Sequence, residues 1–552
     1  MGDKFLMKYK EAIKTSMEAL AKEENTIFLG YNICFGTKAY GTLTDVPREK
    51  MIETPLAENL MAGLAIGLSL EGYFPVLFFE RHDFMLIALD AIVNHLDKME
   101  KLSHGEYKAP MIIRAVVGGT KPLYPGIQHT QDFTEAFKKM INFPIYEPKN
   151  SEEVIEAYKK AKESGKPAMI IERKDLYETE AKKKELILDG HKLFWHKERV
   201  EAWLKGERVA PITIDCALTR RCNYKCMYCY GKLQENDEKR ITKEVIFRFL
   251  DDAAEIGVKG VSFVSDGEST CSPYLYDAIV HGKKKGLDMA LGTNGALLKK
   301  EKLKEILPCL TYIRFNFSAG EAKRYAEIMG CREEDFYNVC EIIKECVKIK
   351  KEANLDVTIG LQMVLMPSFI DQIMPLAKLG KDLGADYSVI KHCSDDEEGH
   401  LGIEYEQYFN KKLIEELERA EALSNENYTV KAKWSKILSG GKRKYTRCYG
   451  PPFILQLSGS GLVAPCGMLF NDKYKKFHIG NIAEKSFKEI WQSDKYWEVM
   501  KMISSNEFNA KEDCGTLCLQ HKVNEYLWDL KENNITTIPE PEGEKPAHIN
   551  FI

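Results

Sequence analysis

Three cysteines, Cys222, Cys226 and Cys229, lie close together in the sequence at a spacing suited to a metal cluster. The apolar run 212–218 precedes them and predicts a buried strand, so the cysteines belong to the loop after that strand. Thiolates bind iron–sulfur clusters and zinc, and four ligands complete either site. Three cysteines therefore leave one coordination position for another ligand. The alternative is a structural zinc loop with a distant fourth ligand.

The pattern C-x3-C-x2-C, with Tyr228 directly before the last cysteine, resembles the radical S-adenosylmethionine (radical SAM) superfamily. The resemblance implies that Cys222, Cys226 and Cys229 hold a 4Fe–4S cluster whose fourth iron is open to the amino and carboxylate groups of SAM. An electron from the cluster then cleaves SAM and leaves a 5′-deoxyadenosyl radical, while the protein supplies orientation. Tyr228 fits the family position that packs near the adenine.

Later loops also resemble this family. Residues 265–268 stand where the family has a Gly-Gly-Glu turn that takes the SAM ammonium, although Asp266 replaces the first glycine. The ends of the third and fourth strands commonly supply hydrogen bonds to the ribose and carboxylate of SAM. Taken singly, Asp-Gly and Asn-Gly are ordinary turn dipeptides. The resemblance implies SAM-binding roles for Gly267, Glu268, Thr293, Asn294 and Ser318.

Apolar runs alternate with amphipathic segments of 10 to 20 residues from residue 212 onward. The predicted strands are 212–218, 260–264, 289–293, 312–317, 357–363 and 385–390, and helices are predicted at 243–256, 273–285, 334–352 and 370–383. Six β-α repeats predict a parallel sheet curled into a partial (β/α)6 barrel, with the chemistry at the carboxyl ends of the strands. The polar stretch 391–398 follows the sixth strand and is the predicted substrate contact, with Cys271 and Cys393 near strand ends facing the site.

A second group of cysteines follows in the order C-x17-C-x47-C-x3-C. Four thiolates complete a 4Fe–4S cluster with no open iron, and a zinc site is the alternative. The segment 457–466 predicts a β-hairpin that delivers the second of these cysteines. Segments 479–482 and 487–491 resemble the SPASM/twitch extensions of radical SAM enzymes, in which four cysteines correspond to one auxiliary cluster. The predicted ligands are Cys448, Cys466, Cys514 and Cys518.

The first 180 residues alternate helices with apolar runs and predict an α/β domain with a mostly parallel sheet. Several segments, in order, resemble the pyrimidine-binding domain of thiamine-diphosphate enzymes, and especially the β subunits of 2-oxo-acid dehydrogenases. These segments are 52–58, 63–67, 71–76, 83–84, 90–95, 110–114 and 128–131.

The resemblance assigns three site residues in this domain. Glu58 matches the glutamate that bonds N1′ of the aminopyrimidine and drives ylid formation, Phe84 the aromatic on the pyrimidine face, and His129 a histidine near the ylid carbon. The Gly-Asp-Gly…Asn motif that holds Mg2+ and the diphosphate in this family is not found. We therefore expect thiamine diphosphate with Mg2+ to be shared with an α-like, diphosphate-binding partner subunit in a hetero-oligomer.

Length and composition describe an ordinary soluble protein of several domains. The 552 residues exceed a single core, and the formal net charge of −4 favours neither nucleic acid nor a membrane surface as partner. No run of 18 apolar residues occurs, and 15 cysteines without a signal segment predict a reducing, cytoplasmic location. The predicted divisions are 1–180, a linker at 181–210, the barrel at 211–395, the auxiliary-cluster region at 396–530 and a mobile tail at 531–552.

The sequence therefore predicts a radical SAM enzyme that abstracts hydrogen from a small metabolite, either a sugar or a compound derived from a 2-oxo acid. A flavodoxin or ferredoxin would supply the electron, and the thiamine-diphosphate half-site would be completed by the partner. Two alternatives belong to other functional classes. The first domain could only dock a partner in a scaffold, or the chain could be a two-cluster electron-transfer protein without SAM chemistry.

Overall fold

The computed structural model describes residues 7–119, 124–179, 185–236, 239, 241–353, 355–515, 518–541, 543 and 545–552. The chain divides into two compact units, Met1–Lys183 and Lys184–Ile552. Across these described ranges, no helix combines the length and the apolar character needed to cross a membrane.

The first unit is an α/β domain built on a six-stranded sheet in the order β2-β1-β3-β4-β6-β5, with every pairing parallel. Its strands are β1 (Thr26–Gly30), β2 (Met51–Glu53), β3 (Phe74–Phe79), β4 (Ile112–Val117), β5 (Ile145–Tyr146) and β6 (Ala168–Arg173). Its helices are α1 (Tyr9–Ala21), α2 (Glu58–Leu70), α3 (His82–Met85), α4 (Met99–Leu102), α5 (Thr134–Met140) and α6 (Ser151–Glu163). The predicted α/β architecture is confirmed; the predicted start of α1 near residue 5 lies outside the described residues.

Burial explains why this sheet is continuous and apolar. All six residues of β3 and all six of β4 are buried, as expected for parallel strands covered by helices on both faces. The two faces form separate apolar cores, one beneath α1 and α6 and the other beneath α2.

The second unit contains the predicted partial barrel. Six strands, β7 (Thr213–Cys216), β8 (Gly260–Phe263), β9 (Asp288–Thr293), β10 (Leu310–Asn316), β11 (Thr358–Leu365) and β12 (Tyr387–His392), pair in parallel in chain order. Its helices are α7 (Lys197–Leu204), α8 (Lys243–Ile256), α9 (Leu275–Lys284), α10 (Lys300–Ile306), α11 (Ala322–Met329), α12 (Glu333–Glu352), α13 (Ile373–Asp382), α14 (Lys411–Glu421), α15 (Trp434–Ile437), α16 (Phe487–Gln492), α17 (Asp494–Ile503) and α18 (His521–Glu532).

The region after the barrel continues the same sheet on both sides. The strands β13 (Thr429–Ala432), β14 (Ile454–Leu457), β15 (Leu462–Ala464) and β16 (Gly480–Asn481) complete a ten-stranded sheet. β13 joins β12 in parallel, and β14 joins β7 in parallel before turning into the antiparallel β14–β15 hairpin. The hairpin expected before Cys466 is therefore present, and it is hydrogen-bonded into the barrel sheet.

The segment expected to be a linker folds as part of the second unit. Its helix, α7, lies where the sequence places one, but Leu193 and Val200 are fully buried in a core that also contains Phe453 and Leu527. The division at 181–210 thus differs from the structure, because these apolar side chains cover the outside of the barrel.

The C-terminal segment also differs from the expected mobile tail. Phe551 is only 7% exposed and packs edge-to-face on Tyr312, with ring centroids 5.1 Å apart. The Thr213 hydroxyl donates to the Asn550 carbonyl at 2.7 Å. Gly260 makes room for this carbonyl, which would lie 2.9 Å from a Cβ there. The segment closes the amino-terminal end of the barrel.

Candidate functional site

The loop after β7 brings the first three cysteines together. Burial, with contributions from Glu268 and the Cys229 thiol, raises the pKa of Cys222 to about 11. Burial and the two neighbouring thiols raise the pKa of Cys226 to about 12. The three cysteines are only partly covered, with Cys222 the most exposed. Neighbouring thiols gain stability as thiolates when a cation joins them, and iron provides that charge. The donor set therefore fits an iron–sulfur cluster.

Two glycines hold this loop in place. The chain at Thr219–Arg220 passes between Gly267 and Gly459, and a Cβ on either glycine would lie 2.1 Å from a backbone atom of Thr219. Gly267 also has φ +118°, a conformation that residues with a side chain rarely adopt. The glycine predicted to contact SAM thus has a packing role, since it fixes the strand exit that leads to Cys222.

Glu268, Thr293 and Asn294, all predicted SAM residues, converge at the carboxyl ends of β8 and β9. Glu268 accepts from the Thr293 hydroxyl at 2.7 Å and from the Asn294 backbone N–H at 2.8 Å. The Asn294 amide donates to Asn223 in the cysteine loop at 2.8 Å. These residues are buried and bonded to one another, so they form the wall that links two strand ends to the cysteine loop.

Tyr228 and Ser318 lie on a different side of the cysteine loop. The Tyr228 hydroxyl donates to Met329 Sδ at 2.9 Å, and its ring is 8% exposed. Ser318 Oγ accepts from the Val364 N–H at 3.1 Å. Both side chains therefore sit near the carboxyl end of β10.

Asp266, the residue that departs from the family turn, links the barrel to the hairpin. Its carboxylate accepts from Ser458 Oγ at 2.5 Å and from the Gly459 N–H at 2.9 Å, and Arg220 Nε lies 3.4 Å away. Burial raises the pKa of Asp266 to about 6, although these partners oppose the shift. The sequence contains one indication of this link, an aspartate at a position where the family has glycine. A carboxylate there needs hydrogen-bond donors, and the Ser-Gly-Ser segment 458–460 offers them.

The four later cysteines line one small cavity of about 20 Å3. Asn524 Nδ2 lies 3.4 Å from Cys518 Sγ and 3.6 Å from Cys448 Sγ, and burial followed by the other thiols raises the pKa of Cys466 well above its usual range. Among the described residues, no three His, Cys, Asp or Glu side chains are close enough to share a single metal ion. Cysteines around a cavity, with amide donors to sulfur, fit a cluster, whose ligands stand further apart than those of one ion.

Tyr230 joins the two cysteine sets. It follows Cys229 directly, and its hydroxyl lies 3.2 Å from the position of a Cβ on Gly467, the neighbour of Cys466. Burial and then the charges of Cys466, Asp266, Asp215 and Cys229 raise the pKa of Tyr230 well above its usual range. Tyr230 therefore lies between the two cysteine loops, and we call the region around it the lumen. The sequence reasoning missed Tyr230 because its partners lie more than 200 residues away.

The first unit contains a cavity of about 590 Å3 that includes two of the three predicted thiamine-site residues. The Phe84 and His129 rings meet edge-to-face with centroids 5.2 Å apart. The Tyr31 hydroxyl and Thr54 Oγ1 are buried and have no hydrogen-bonding partner within the described chain. An aminopyrimidine offers the donors and acceptors that such groups need, so the lining fits it. The lining residues are Tyr31, Asn32, Glu53, Thr54, Leu56, Glu80, Arg81, Phe84 and His129.

Glu58 lies behind this lining. Glu58 is the first residue of α2 and is 6% exposed. Burial, the charge of Glu80 and then the charge of Glu58 raise the pKa of the Tyr31 hydroxyl. Glu53, by contrast, has a structural role, because it accepts from the backbone N–H groups of Asn32 at 2.6 Å and of Cys34 at 2.7 Å. Backbone N–H groups therefore occupy the Glu53 carboxylate, and we expect the Glu58 carboxylate to be the one that binds a ligand.

Family models match three parts of the chain. The model described as the transketolase pyrimidine-binding domain matches residues 6–180, and the model of the radical SAM superfamily matches residues 217–379. The SPASM model, described as an iron–sulfur cluster-binding domain, matches residues 448–519.

Individual relatives divide in the same way. A tungsten-containing aldehyde ferredoxin oxidoreductase cofactor-modifying protein of Pyrococcus furiosus is 24% identical over 313 residues, 54% of this chain and 85% of its own length. The mitochondrial pyruvate dehydrogenase E1 β subunit of Saccharomyces cerevisiae is 27% identical over 176 residues, 31% of this chain and 48% of its own. The chain thus spans about half the length of this E1 β relative.

Among solved structures, Streptococcus suis SuiB bound to S-adenosylmethionine aligns with a TM-score of 0.44 and 18% identity. The alignment covers 55% of this chain and 71% of SuiB. The three domain matches follow the order expected from the cysteine spacing and the N-terminal segments. The chain therefore contains, in order, a transketolase-type pyrimidine-binding domain, a radical SAM domain and a SPASM iron–sulfur domain.

Proposed function

We propose that this enzyme generates a 5′-deoxyadenosyl radical to abstract hydrogen from a small metabolite, and that a partner subunit completes its thiamine-diphosphate half-site. The observation that carries the first part is the lumen shared by the two cysteine sets, with Tyr230 between Cys229 and Cys466. The Pyrococcus relative, named as cofactor-modifying, supports a small-molecule substrate.

Cys222, Cys226 and Cys229 would hold the SAM-binding 4Fe–4S cluster, which supplies the electron for cleaving SAM when both are bound. The surrounding residues position this group. Gly267 and Gly459 fix the loop, and Glu268 joins the ends of β8 and β9 to it. We place the SAM contacts at this wall, at Gly267, Glu268, Thr293 and Asn294, with Tyr228 and Ser318 on the opposite side.

Cys448, Cys466, Cys514 and Cys518 would hold the auxiliary 4Fe–4S cluster, which either accepts an electron from the substrate or orients it. The chain's own donors prepare this cavity. Asn524 directs its amide at two of the sulfurs, while its Oδ1 accepts from the N–H groups of Tyr449 and Gly450. Hydrogen bonds to cluster sulfurs tune the reduction potential.

The first unit would bind the pyrimidine half of thiamine diphosphate, which supplies carbanion stabilisation when bound. Phe84 would pack on the ring, and Tyr31 and Thr54 would bond its polar edge. Glu58 would hold the proton exchanged at N1′, since it is a buried carboxylate beside the cavity. His129 closes the cavity next to Phe84.

An exposed apolar face on α2 supports the partner. Leu60 is 58% and Leu64 38% exposed, and Gly63 and Gly67 lie on the same helical stripe. A Cβ on either glycine would meet nothing within 4 Å, so no packing within the described chain requires them. Because the E1 relatives are named as β subunits, we assign this face to an α-like subunit that carries the Mg2+-diphosphate motif. A permanent interface of this kind buries about 2,000 Å2 or more.

The test of the radical function uses reconstituted protein, SAM and a flavodoxin or dithionite reductant. We expect 5′-deoxyadenosine from the wild type and none from the Cys222→Ala/Cys226→Ala/Cys229→Ala variant, which should keep about four irons at the auxiliary site. Cys309→Ala, a cysteine outside both sets, is the matched control. Nucleoside formation by the triple variant would contradict the assignment of these three cysteines to the SAM-binding cluster. Its absence from a wild type with eight irons would favour an electron-transfer protein.

A further inference from the structure

Four cationic side chains enclose the lumen between the two cysteine sets. Arg314 lies on β10 and Lys391 on β12, while Lys433 follows β13 and Lys436 lies in α15. Each of the four residues is half-buried in the second unit. The charges of Arg314 and Lys391 both act on the Asp215 carboxylate of β7. Strands from opposite sides of the barrel therefore contribute to this charged cluster.

Two nearby carboxylates offset only part of this charge, which leaves cations in excess among the described residues. Asp215 accepts from the Gln456 amide at 3.1 Å, and Asp189 accepts from the Ser435 N–H at 3.0 Å. Lys436 donates to the Leu519 carbonyl at 3.0 Å, and Arg314 Nε has no partner. Burial, Arg314 and Lys436 lower the pKa of Lys391 to about 7. Buried cations that repel one another are costly unless an anion joins them.

The cluster spans the distance between the two cysteine sets. Lys391 interacts electrostatically with Cys393. The Cys393 thiol donates to the carbonyl of Tyr228, the neighbour of Cys229, at 3.5 Å. Lys436 feels the thiols of Cys518 and Cys466. A molecule held by these cations would therefore lie between the SAM-binding loop and the auxiliary cavity, where a substrate of the proposed reaction must be.

We propose that Arg314, Lys391, Lys433 and Lys436 form an oxyanion-binding site for a carboxylate or phosphate of the substrate, an inference that rests on the proposed function. The free Arg314 Nε edge can bond an oxyanion in two places, which lysines alone cannot do. The substrate class is thereby narrowed to small anionic metabolites, and neutral sugars are excluded.

The probes are inorganic phosphate and pyruvate, titrated into the cluster-loaded protein while its melting temperature is followed. Sodium chloride of matched ionic strength controls for screening. We expect one probe or both to raise the melting temperature of the wild type. Lys433→Met and Lys391→Met should weaken the apparent Kd at least tenfold, whereas Lys378→Met, at an exposed lysine of α13, should leave it unchanged. Whichever probe acts identifies the oxyanion.

A second readout needs no ligand. Removing one of several repelling cations should raise the melting temperature of the ligand-free protein, and it should rise in Lys433→Met and Lys391→Met but not in Lys378→Met. Unchanged probe binding in both lumen variants, no binding to the wild type, or destabilisation of both lumen variants would overturn the inference. Probe binding by a wild type that makes no 5′-deoxyadenosine would instead retain the anion site and reject the radical function.

Discussion

Asp266 is a single side chain on which the junction between barrel and hairpin depends. Its carboxylate binds Ser458 and Gly459, which are more than 190 residues away, and these bonds place Gly459 against the chain that leads to the first cysteines. A buried acid in such a place keeps its charge only against the cost of desolvation. Asp266, at a position where the family has glycine, therefore links the barrel to the hairpin, and the strength of this link depends on pH.

The pH dependence of Asp266 gives a prediction with a definite sign. Its pKa is about 6 in the folded protein against 3.8 ordinarily, so the folded state binds the proton more readily. The stability from this group is complete below pH 3.8 and is lost as the pH rises through 6. Between pH 5 and 7.5 the loss is about 1–2 kcal/mol. Asp266→Asn should remove this slope.

The measurement compares urea unfolding of the wild type and Asp266→Asn at several values between pH 5 and 7.5. The difference between their free energies of unfolding should move by the stated amount in favour of the variant as the pH rises. Asp472→Asn, outside this junction, serves as the control. A difference that stays constant with pH would show that Asp266 is ionised throughout.

At this scale, ligands can be predicted from the sequence more readily than their partners. Cysteine spacing is local, so Cys222 and Cys229 can be predicted as cluster ligands from the sequence alone. Asp266, Tyr230 and Asn524 could not, because each acts through residues brought near only by the fold. Glu268 was found, but its bonds to Thr293 and Asn294 give it a linking role that its motif does not reveal.

At the scale of elements, the β14–β15 hairpin connects the barrel to the auxiliary-cluster region through a shared sheet. Four residues of β14 pair with β7, from Ile454 with Thr213 to Leu457 with Cys216. The turn after β14 then presents Gly459 to the cysteine loop. Individual strands were predictable from their apolar runs, but this pairing joins segments about 240 residues apart and has no local signal.

Gly459→Ala tests this contact. A Cβ there would lie 2.1 Å from Thr219 C and 2.4 Å from Arg220 N, and backbone cannot yield as a flexible side chain can. We expect a loss of about 1–3 kcal/mol in stability, as for overpacked sites. The displaced loop should also lose its cluster, so iron should fall from about eight towards four per chain.

Iron content and urea unfolding measure this effect after reconstitution. Gly63→Ala, on α2 of the first unit, is the control for handling and yield, since a Cβ there meets nothing within 4 Å. Full iron content in Gly459→Ala would show that the hairpin turn does not position the cysteine loop, and the element-level account would have to be abandoned.

At the scale of the whole molecule, the chain combines two incomplete arrangements in its two units. The second unit has both cysteine sets, which are the predicted cluster ligands. The first has the pyrimidine cavity, with Tyr31 and Thr54 unpartnered, but the sequence offers no diphosphate motif. Its α2 helix exposes Leu60 and Leu64 beside two glycines. The missing diphosphate motif and the exposed apolar face of α2 therefore both concern the first unit.

The glycines of α2 give a prediction in which stability and assembly change in opposite directions. A helix-interior glycine costs about 0.5–1 kcal/mol relative to alanine. Because nothing lies near either Cβ position, Gly63→Ala/Gly67→Ala should stabilise the isolated chain by about 1–2 kcal/mol. If an α-like subunit packs closely on this stripe, the added methyl groups should weaken its binding and the Mg2+-dependent binding of thiamine diphosphate by the pair.

Three measurements decide the matter: urea unfolding of the isolated chain, its association with a co-encoded protein carrying the Gly-Asp-Gly…Asn motif, and thiamine-diphosphate titration of both. Gly282→Ala is the matched control, because its Cβ would lie 2.3 Å from Met289 Sδ and should destabilise the chain. Glu58→Gln should leave association intact and abolish ylid formation, since an amide cannot exchange a proton with N1′. Tight binding of the cofactor by the isolated chain would contradict the half-site, and association without cofactor binding would leave α2 a docking surface alone.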